Sequence, residues 1–295
     1  MTGSIVVTPD LRQPPVPAQG AFLRRASMSP DDKHRLFGIR KVVVENCKVC
    51  EGVGYILDKE KNISPCECMV LFRWLKALVF SRIPQGYWAL DSKSPPLPKN
   101  SFLFTEDYIA HLPNAATKGL GLFFRGPNGT GKTTLLTKVG RRALAQGYSV
   151  GYLTTESYLK AVRSDDQVML PWVSSLDFIL LDEIDKPYRK EGSDYIPKQI
   201  EEFIRQAIAK NQALLIAGNE SVEGFQEMYG SSIASALTRV VDEIPVIGDD
   251  LSELRKNEWR KELYDGQYDY HQAVLLSEAQ QYRKATYTSV RDIGS

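Results

Sequence analysis

From residue 101 onward, short apolar runs alternate with longer stretches of helical periodicity. The runs fall at 120–125 (LGLFFR), 149–154 (SVGYLT), 178–183 (FILLDE), 213–218 (ALLIAG) and 240–247 (VVDEIPVI). FILL and ALLIA carry no polar alternation, which predicts strands buried on both faces, as in a parallel sheet covered by helices. Helices are predicted over 132–146 and 196–211, and SYLKAVR reads as a helix after the second strand. The fold class is therefore α/β, a parallel sheet flanked by helices, over 101–250.

The chain ahead of this is patterned differently. RKVVVE (40–45) reads as a strand. Residues 69–83 read as a helix with Val70, Leu71, Trp74, Leu75, Leu78 and Val79 on one broad face, stopped by Pro84. That face predicts packing against a metal site or the next domain, with a partner-binding role as the alternative. Pro95, Pro96 and Pro98 make 91–100 an extended, stiff linker. Residues 31–90 then form a small N-terminal domain. Residues 1–30, with Pro9, Pro14, Pro15, Pro17 and Pro30, read as a flexible tail. At the other end, 251–295 reads as an extension of short charged helices, and no internal repeat is visible.

Composition adds limits. The 295 residues are 43% hydrophobic and 25% charged, which suits a globular chain with a sizeable core. A net charge of +1 provides no global field for nucleic acid or membranes, so a nucleic-acid site must be a local patch. No apolar run approaches the roughly 20 residues of a membrane helix, and residues 1–20 lack the pattern of a signal peptide. A cytoplasmic protein without a membrane partner is expected.

The chemistry concentrates in two places. Gly126, Pro127, Asn128, Gly129, Thr130, Gly131, Lys132, Thr133 and Thr134 match the phosphate loop G-x-x-x-x-G-K-[ST], with a predicted strand before and a helix after. The glycines let successive backbone N–H groups turn toward phosphate oxygens, and the helix points its positive end at them. Lys132 adds charge at the β and γ phosphates of ATP, and the Thr133 hydroxyl is a Mg²⁺ ligand. FILLDE ends a buried strand in two carboxylates. Asp182 is expected to hold Mg²⁺ and Glu183 to polarise an attacking water, which implies ATP hydrolysis. Asn219, at the end of LLIAGN, falls beside the loop in a parallel sheet, placed to position the water or sense the γ-phosphate. Arg239 is either a residue reaching a neighbouring subunit's phosphate or a surface arginine paired with Asp242 or Glu243.

The second cluster is Cys47-x-x-Cys50 and Cys66-x-Cys68, with Gly52 and Gly54 supplying tight turns after the first pair. Four closely spaced cysteines suit a closed structural Zn²⁺ site, an iron–sulfur cluster being the rival. Two segments offer candidate contacts to single-stranded DNA: Lys160 and Arg163, and the loop with Lys186, Tyr188, Arg189 and Lys190. Cations there would track phosphates and the tyrosine would stack on a base, the alternative being ordinary solvated surface.

The stretches IPQGYWAL (83–90), GLGLFFRGPNGTGKTTLL (119–136), FILLDEID (178–185), LLIAGN (214–219) and SALTRV (235–240) resemble the AAA+ ATPases of the bacterial replicative-helicase-loader (DnaC/DnaI) and IstB-like family. The resemblance covers roughly 83–250. It implies that Lys132 and Thr133 serve as Walker A, Asp182 and Glu183 as Walker B, Asn219 as sensor-1 and Arg239 as an arginine finger. The short stretch after Ile247 is similar to helicase loaders in lacking room for a complete helical lid, and Arg255 is only a weak candidate for nucleotide contact. Some loaders carry a cysteine zinc module before the ATPase domain, so the resemblance implies a replicative helicase as partner, single-stranded DNA as a ligand and assembly into an oligomer. The alternatives are a regulator of transposition that recruits a transposase on duplex DNA, and a small-molecule P-loop kinase. Tyr87 and Trp88 lie near where adenine would bind.

Overall fold

The computed structural model describes residues 30–57, 63–88, 97–185, 195–254, 256–257 and 278–281. Five strands form one parallel sheet: β3 (Gly121–Arg125), β4 (Val150–Thr154), β5 (Phe178–Asp182), β6 (Ala213–Gly218) and β7 (Val241–Pro245). Their order across the sheet is β4-β5-β6-β3-β7. Phe178, Ile179, Leu180 and Leu181 of β5 are all fully buried, as an unalternated apolar run demands of a central strand.

Alternate residues of each strand feed two cores. On one face Leu122, Phe124, Phe178, Leu180 and Leu215 pack with Leu135, Leu136 and Val139 of α5 (Lys132–Ala145). On the other, Phe123, Ile179, Leu181, Leu214 and Ile216 pack with helices that include α6 (Thr155–Arg163), α7 (Met169–Ser174) and α8 (Tyr195–Ala209). Helices α9 (Val222–Tyr229) and α10 (Ser231–Leu237) then lead into β7.

The N-terminal part departs from expectation at its start and at the linker. Helix α1 (Pro30–Arg40) runs on as a π-helical turn, Lys41–Glu45, where a strand was expected. Only Val44 of that turn is buried and Val42 is exposed, so the valine run does not face a sheet partner. Its β preference, spread over about 1 kcal/mol, yields to the path of the chain into the cysteine cluster. Next, a hairpin of β1 (Tyr55–Leu57) and β2 (Ile63–Pro65) leads to α2 (Glu67–Phe80), which ends ahead of Pro84. The apolar face of α2 packs against the next domain, one of the expectations for it. Val70, Trp74, Leu75, Leu78 and Val79 belong to the same core as α5 and the sheet. Finally, helix α3 (Lys99–Ala110) begins inside the expected linker and is followed by α4 (Leu112–Lys118). Residues 1–29 and 89–96, the loop with Lys186, Tyr188, Arg189 and Lys190, Arg255 and most of the C-terminal extension lie outside the described residues.

Candidate nucleotide site and cysteine cluster

The C-terminal ends of β3, β5 and β6 converge on a cavity of about 260 Å³. Its wall includes Asn128, Gly129, Gly131, Lys132, Thr133 and Thr134 of the phosphate loop. Asp182, Glu183 and Asn219 come from the neighbouring strand ends. Sequence distance is erased by the parallel register: Arg125 of β3 sits opposite Gly218 of β6, one residue before Asn219.

The loop is shaped by residues that only glycine satisfies. Gly129 has φ +80°, and a Cβ there would lie 1.9 Å from Asp250 Oδ1. Gly131 has φ +98° and leads directly into α5. The Lys132 ammonium donates to the carbonyls of Gly126 and Pro127, each at 2.6 Å, and to Asn219 Oδ1 at 3.0 Å. The sensor-1 candidate and the loop lysine thus meet at one point.

The acidic pair divides its geometry. Thr133 Oγ1 donates to Asp182 Oδ2 at 2.9 Å, so the two expected Mg²⁺-holding groups are adjacent. Tyr152 OH donates to the same oxygen at 2.8 Å, and the Glu183 N–H donates to Oδ1 at 2.9 Å. Burial pushes the Asp182 carboxyl above its ordinary range, against the pull of those three donors. Glu183 is held at φ +57°, a left-handed conformation that costs energy in a non-glycine residue and recurs at functional sites.

Strand order and site agree. The fold is that of a P-loop nucleotide-binding domain, a five-stranded parallel sheet flanked by helices. No known family profile matches the chain, and no curated protein matches it. Among solved structures, the DnaC helicase loader aligns at 17% identity and TM-score 0.48, over 56% of this chain and 100% of that one. DnaI aligns at 14% and 0.47, over 57% and 93%. The replication initiator DnaA bound to AMPPCP and single-stranded DNA aligns at 13% and 0.46, over 72% and 69%. Similarity at this level concerns backbone shape; the chemistry of the domain rests on its own geometry.

That geometry includes residues which motif reading missed. Tyr152 of β4 is one. Asp185, whose Oδ2 accepts from the Asn219 N–H at 2.8 Å, is another. Leu251 and Ser252 line the cavity, and the Leu251 N–H donates to Gly129 O at 2.9 Å, so the chain after β7 closes over the phosphate loop. Tyr87 also lines the cavity, whereas Trp88 is buried, with its indole N–H on Ile83 O, and faces the core. Arg239 is exposed in the turn after α10 and is not among the cavity residues. It makes no hydrogen bond or ion pair with the described residues, and Glu243, one of its alternative partners, pairs with Arg125 instead. Lys160 and Arg163 are exposed on α6.

The four cysteines are free thiols whose Sγ atoms all lie within 4.8 Å of one another. Cys47 and Cys50 sit in the turn before the hairpin, and Cys66 caps α2 with Cys68 in its first turn. Gly52 and Gly54 have φ +86° and +85°, and the Gly54 N–H donates to Cys50 Sγ at 3.2 Å. Tetrahedral Zn–S bonds of about 2.3 Å require S···S separations near 3.8 Å. The observed pairs, Cys47–Cys66 at 3.8 Å and Cys50–Cys68 at 3.4 Å, suit that. Backbone N–H groups of Cys50 and Val49 bring Cys47 down to about 7, whereas burial raises Cys66, and burial with the neighbouring thiols raises Cys68. A divalent cation is what lets four thiolates share this space. The donor set fits a small structural zinc-binding region.

Proposed function

We propose that this chain is an ATP-dependent loader that delivers a replicative helicase to single-stranded DNA and uses ATP hydrolysis to release it. The observation that supports an ATPase best is the convergence of Lys132, Thr133, Asp182, Glu183 and Asn219 on one cavity. In this reading the loop N–H groups and Lys132 hold the triphosphate. Thr133 and Asp182 hold Mg²⁺, whose charge when bound offsets that of the β and γ phosphates. Glu183 orients and polarises water toward the γ-phosphate, and Asn219 fixes that end of the site. Arg239 acts on a neighbouring protomer's nucleotide, which makes turnover depend on assembly. The zinc region, fused through α2 to the ATPase core, presents the partner surface, and its presence with the AAA+ motifs supports helicase loading over transposase recruitment.

The test is ATP hydrolysis titrated with single-stranded and duplex DNA. Stimulation by single strands is expected, with Glu183→Gln lowering turnover by about a hundredfold or more. Stimulation by duplex alone would instead fit a transposition regulator. Full activity as a monomer with no DNA response would fit a kinase-like enzyme and defeat the proposal.

A further inference from the structure

Tyr152 occupies a position for which neither the phosphate loop nor the acidic pair accounts. It lies on β4, one of the two edge strands of the sheet, with its ring packed against the α5-side core. Its hydroxyl donates to Asp182 Oδ2 at 2.8 Å, the oxygen that also accepts from Thr133. Its backbone N–H donates outward to Ser81 O at 2.7 Å.

Ser81 is the C-cap of α2 and is fully buried. Its N–H bonds to Ala77 O and its hydroxyl to Leu78 O at 2.8 Å, so the carbonyl that meets Tyr152 is fixed to the helix. The next residue, Arg82, has φ +57° and holds its guanidinium 4.5 Å from the Trp172 ring centre. Helix α2 starts at the other end with Cys66 and Cys68. One residue therefore bonds at its backbone to the helix of the cysteine cluster and at its side chain to the Walker B aspartate.

We propose that Tyr152 is a positioning residue that orients Asp182 for Mg²⁺ and registers the end of α2 on the nucleotide site. Partners of a metal-holding carboxylate restrict its rotation and define the direction of its lone pairs. A phenol on an edge strand does this while its own strand is tied to α2. Displacement of α2 by a partner bound at the zinc region would then shift β4 and the Asp182 carboxylate together. The reverse also holds, since coupling between two sites is reciprocal. This rests on the proposed ATPase reading.

The test is Tyr152→Phe, which keeps the ring and removes the donor. Binding of a fluorescent N-methylanthraniloyl-ATP is titrated with Mg²⁺, beside melting curves. The variant should melt like the parent and need about tenfold more Mg²⁺ for half-maximal binding. In parallel, hydrogen exchange is followed at 78–83 and at the Tyr152 amide. In the parent chain, adding Mg²⁺ to the nucleotide complex should slow exchange at both; in the variant the response at 78–83 should vanish. An unchanged Mg²⁺ midpoint in a folded variant overturns the positioning role. A parent chain whose exchange at 78–83 ignores Mg²⁺ overturns the coupling without any variant. A parent chain that binds no nucleotide with Mg²⁺ overturns the ATPase reading, and the inference falls with it.

Discussion

Arg141 sits in α5, the helix that begins at Lys132, with its side chain 3% exposed. Its Nη1 donates to Trp88 O at 2.7 Å and lies 3.3 Å from Glu278 Oε1, whose side chain is 4% exposed. The neighbouring Ala279 is fully buried. A stretch far along the chain thus closes over the Walker A helix and the end of the 3₁₀ turn Gln85–Tyr87. Replacing Glu278 by Ala removes the counter-charge of a buried guanidinium. Breaking one half of such a pair costs about 3–5 kcal/mol. At roughly 2–4 °C per kcal/mol for a large domain, the melting temperature should fall by about 6–20 °C. Arg141→Met alone should cost a similar amount, because it leaves the carboxylate buried. The double change Arg141→Met with Glu278→Leu, which replaces the pair by apolar groups of similar size, should lie within about 2 kcal/mol of the parent. Urea unfolding of these proteins, with Glu278→Leu added as the second single variant, closes the cycle. A loss below about 1 kcal/mol for Glu278→Ala, or single losses that simply add in the double variant, would refute the buried pair as the element that docks the C-terminal segment.

Two further predictions follow from local chemistry. Asp166 Oδ1 accepts from the Met169 and Val168 N–H groups at the start of α7, which holds its carboxyl below the ordinary range. A depressed carboxylate stabilises the fold above its unfolded value near 3.9 and loses that contribution as pH falls through its lower folded value. Solvent screening at this partly exposed site keeps the effect small, so Asp166→Ala should cost at most about 0.5 kcal/mol at pH 7 and less at the acid limit, measured by urea midpoints across pH. A penalty independent of pH would show that the charge is not what matters. At the cysteine cluster, chelation should release zinc and raise hydrogen exchange across β1, β2 and the first turn of α2, with the five-stranded sheet still protected. Cys47→Ser with undiminished zinc content would contradict the four-thiolate site.

Strands β3, β5 and β6 were legible because burial on both faces leaves a nearly unbroken apolar run, and the phosphate loop because its whole chemistry lies within nine consecutive residues. Helix α3 was not. Its buried positions include Ser101 and Thr105, small polar residues whose hydroxyls bond to Pro245 O at 2.6 Å and Ser101 O at 2.7 Å. Hydropathy reads such positions as surface, since satisfaction by a carbonyl from β7 is invisible along the chain. The valine run at 42–44 misled in the opposite sense, because three β-branched residues fit a strand locally while only Val44 found a core.

The same division explains the site. Lys132 and Thr133 are neighbours, and Asp182 with Glu183 ends one strand, so spacing alone suggested their roles. Tyr152, Leu251 and Ser252 reach the cavity through register and chain return, which no local motif encodes. Tyr152 stands opposite Leu180 in the β4–β5 ladder, two residues before Asp182, and so its ring shares the face from which Asp182 accepts its hydroxyl. The proline-rich segment at 91–100 read as a stiff linker that set off a small N-terminal unit. Yet Trp74 and Leu78 of α2 are buried in the same core as Leu135 and Phe124, and Ser81 O caps the sheet edge at Tyr152. A helix so placed cannot shift without disturbing the strand beside the acidic pair, because close-packed cores transmit displacement rather than absorb it. The cysteine cluster and the cavity are thus linked by packing that the sequence distributes over three separate segments.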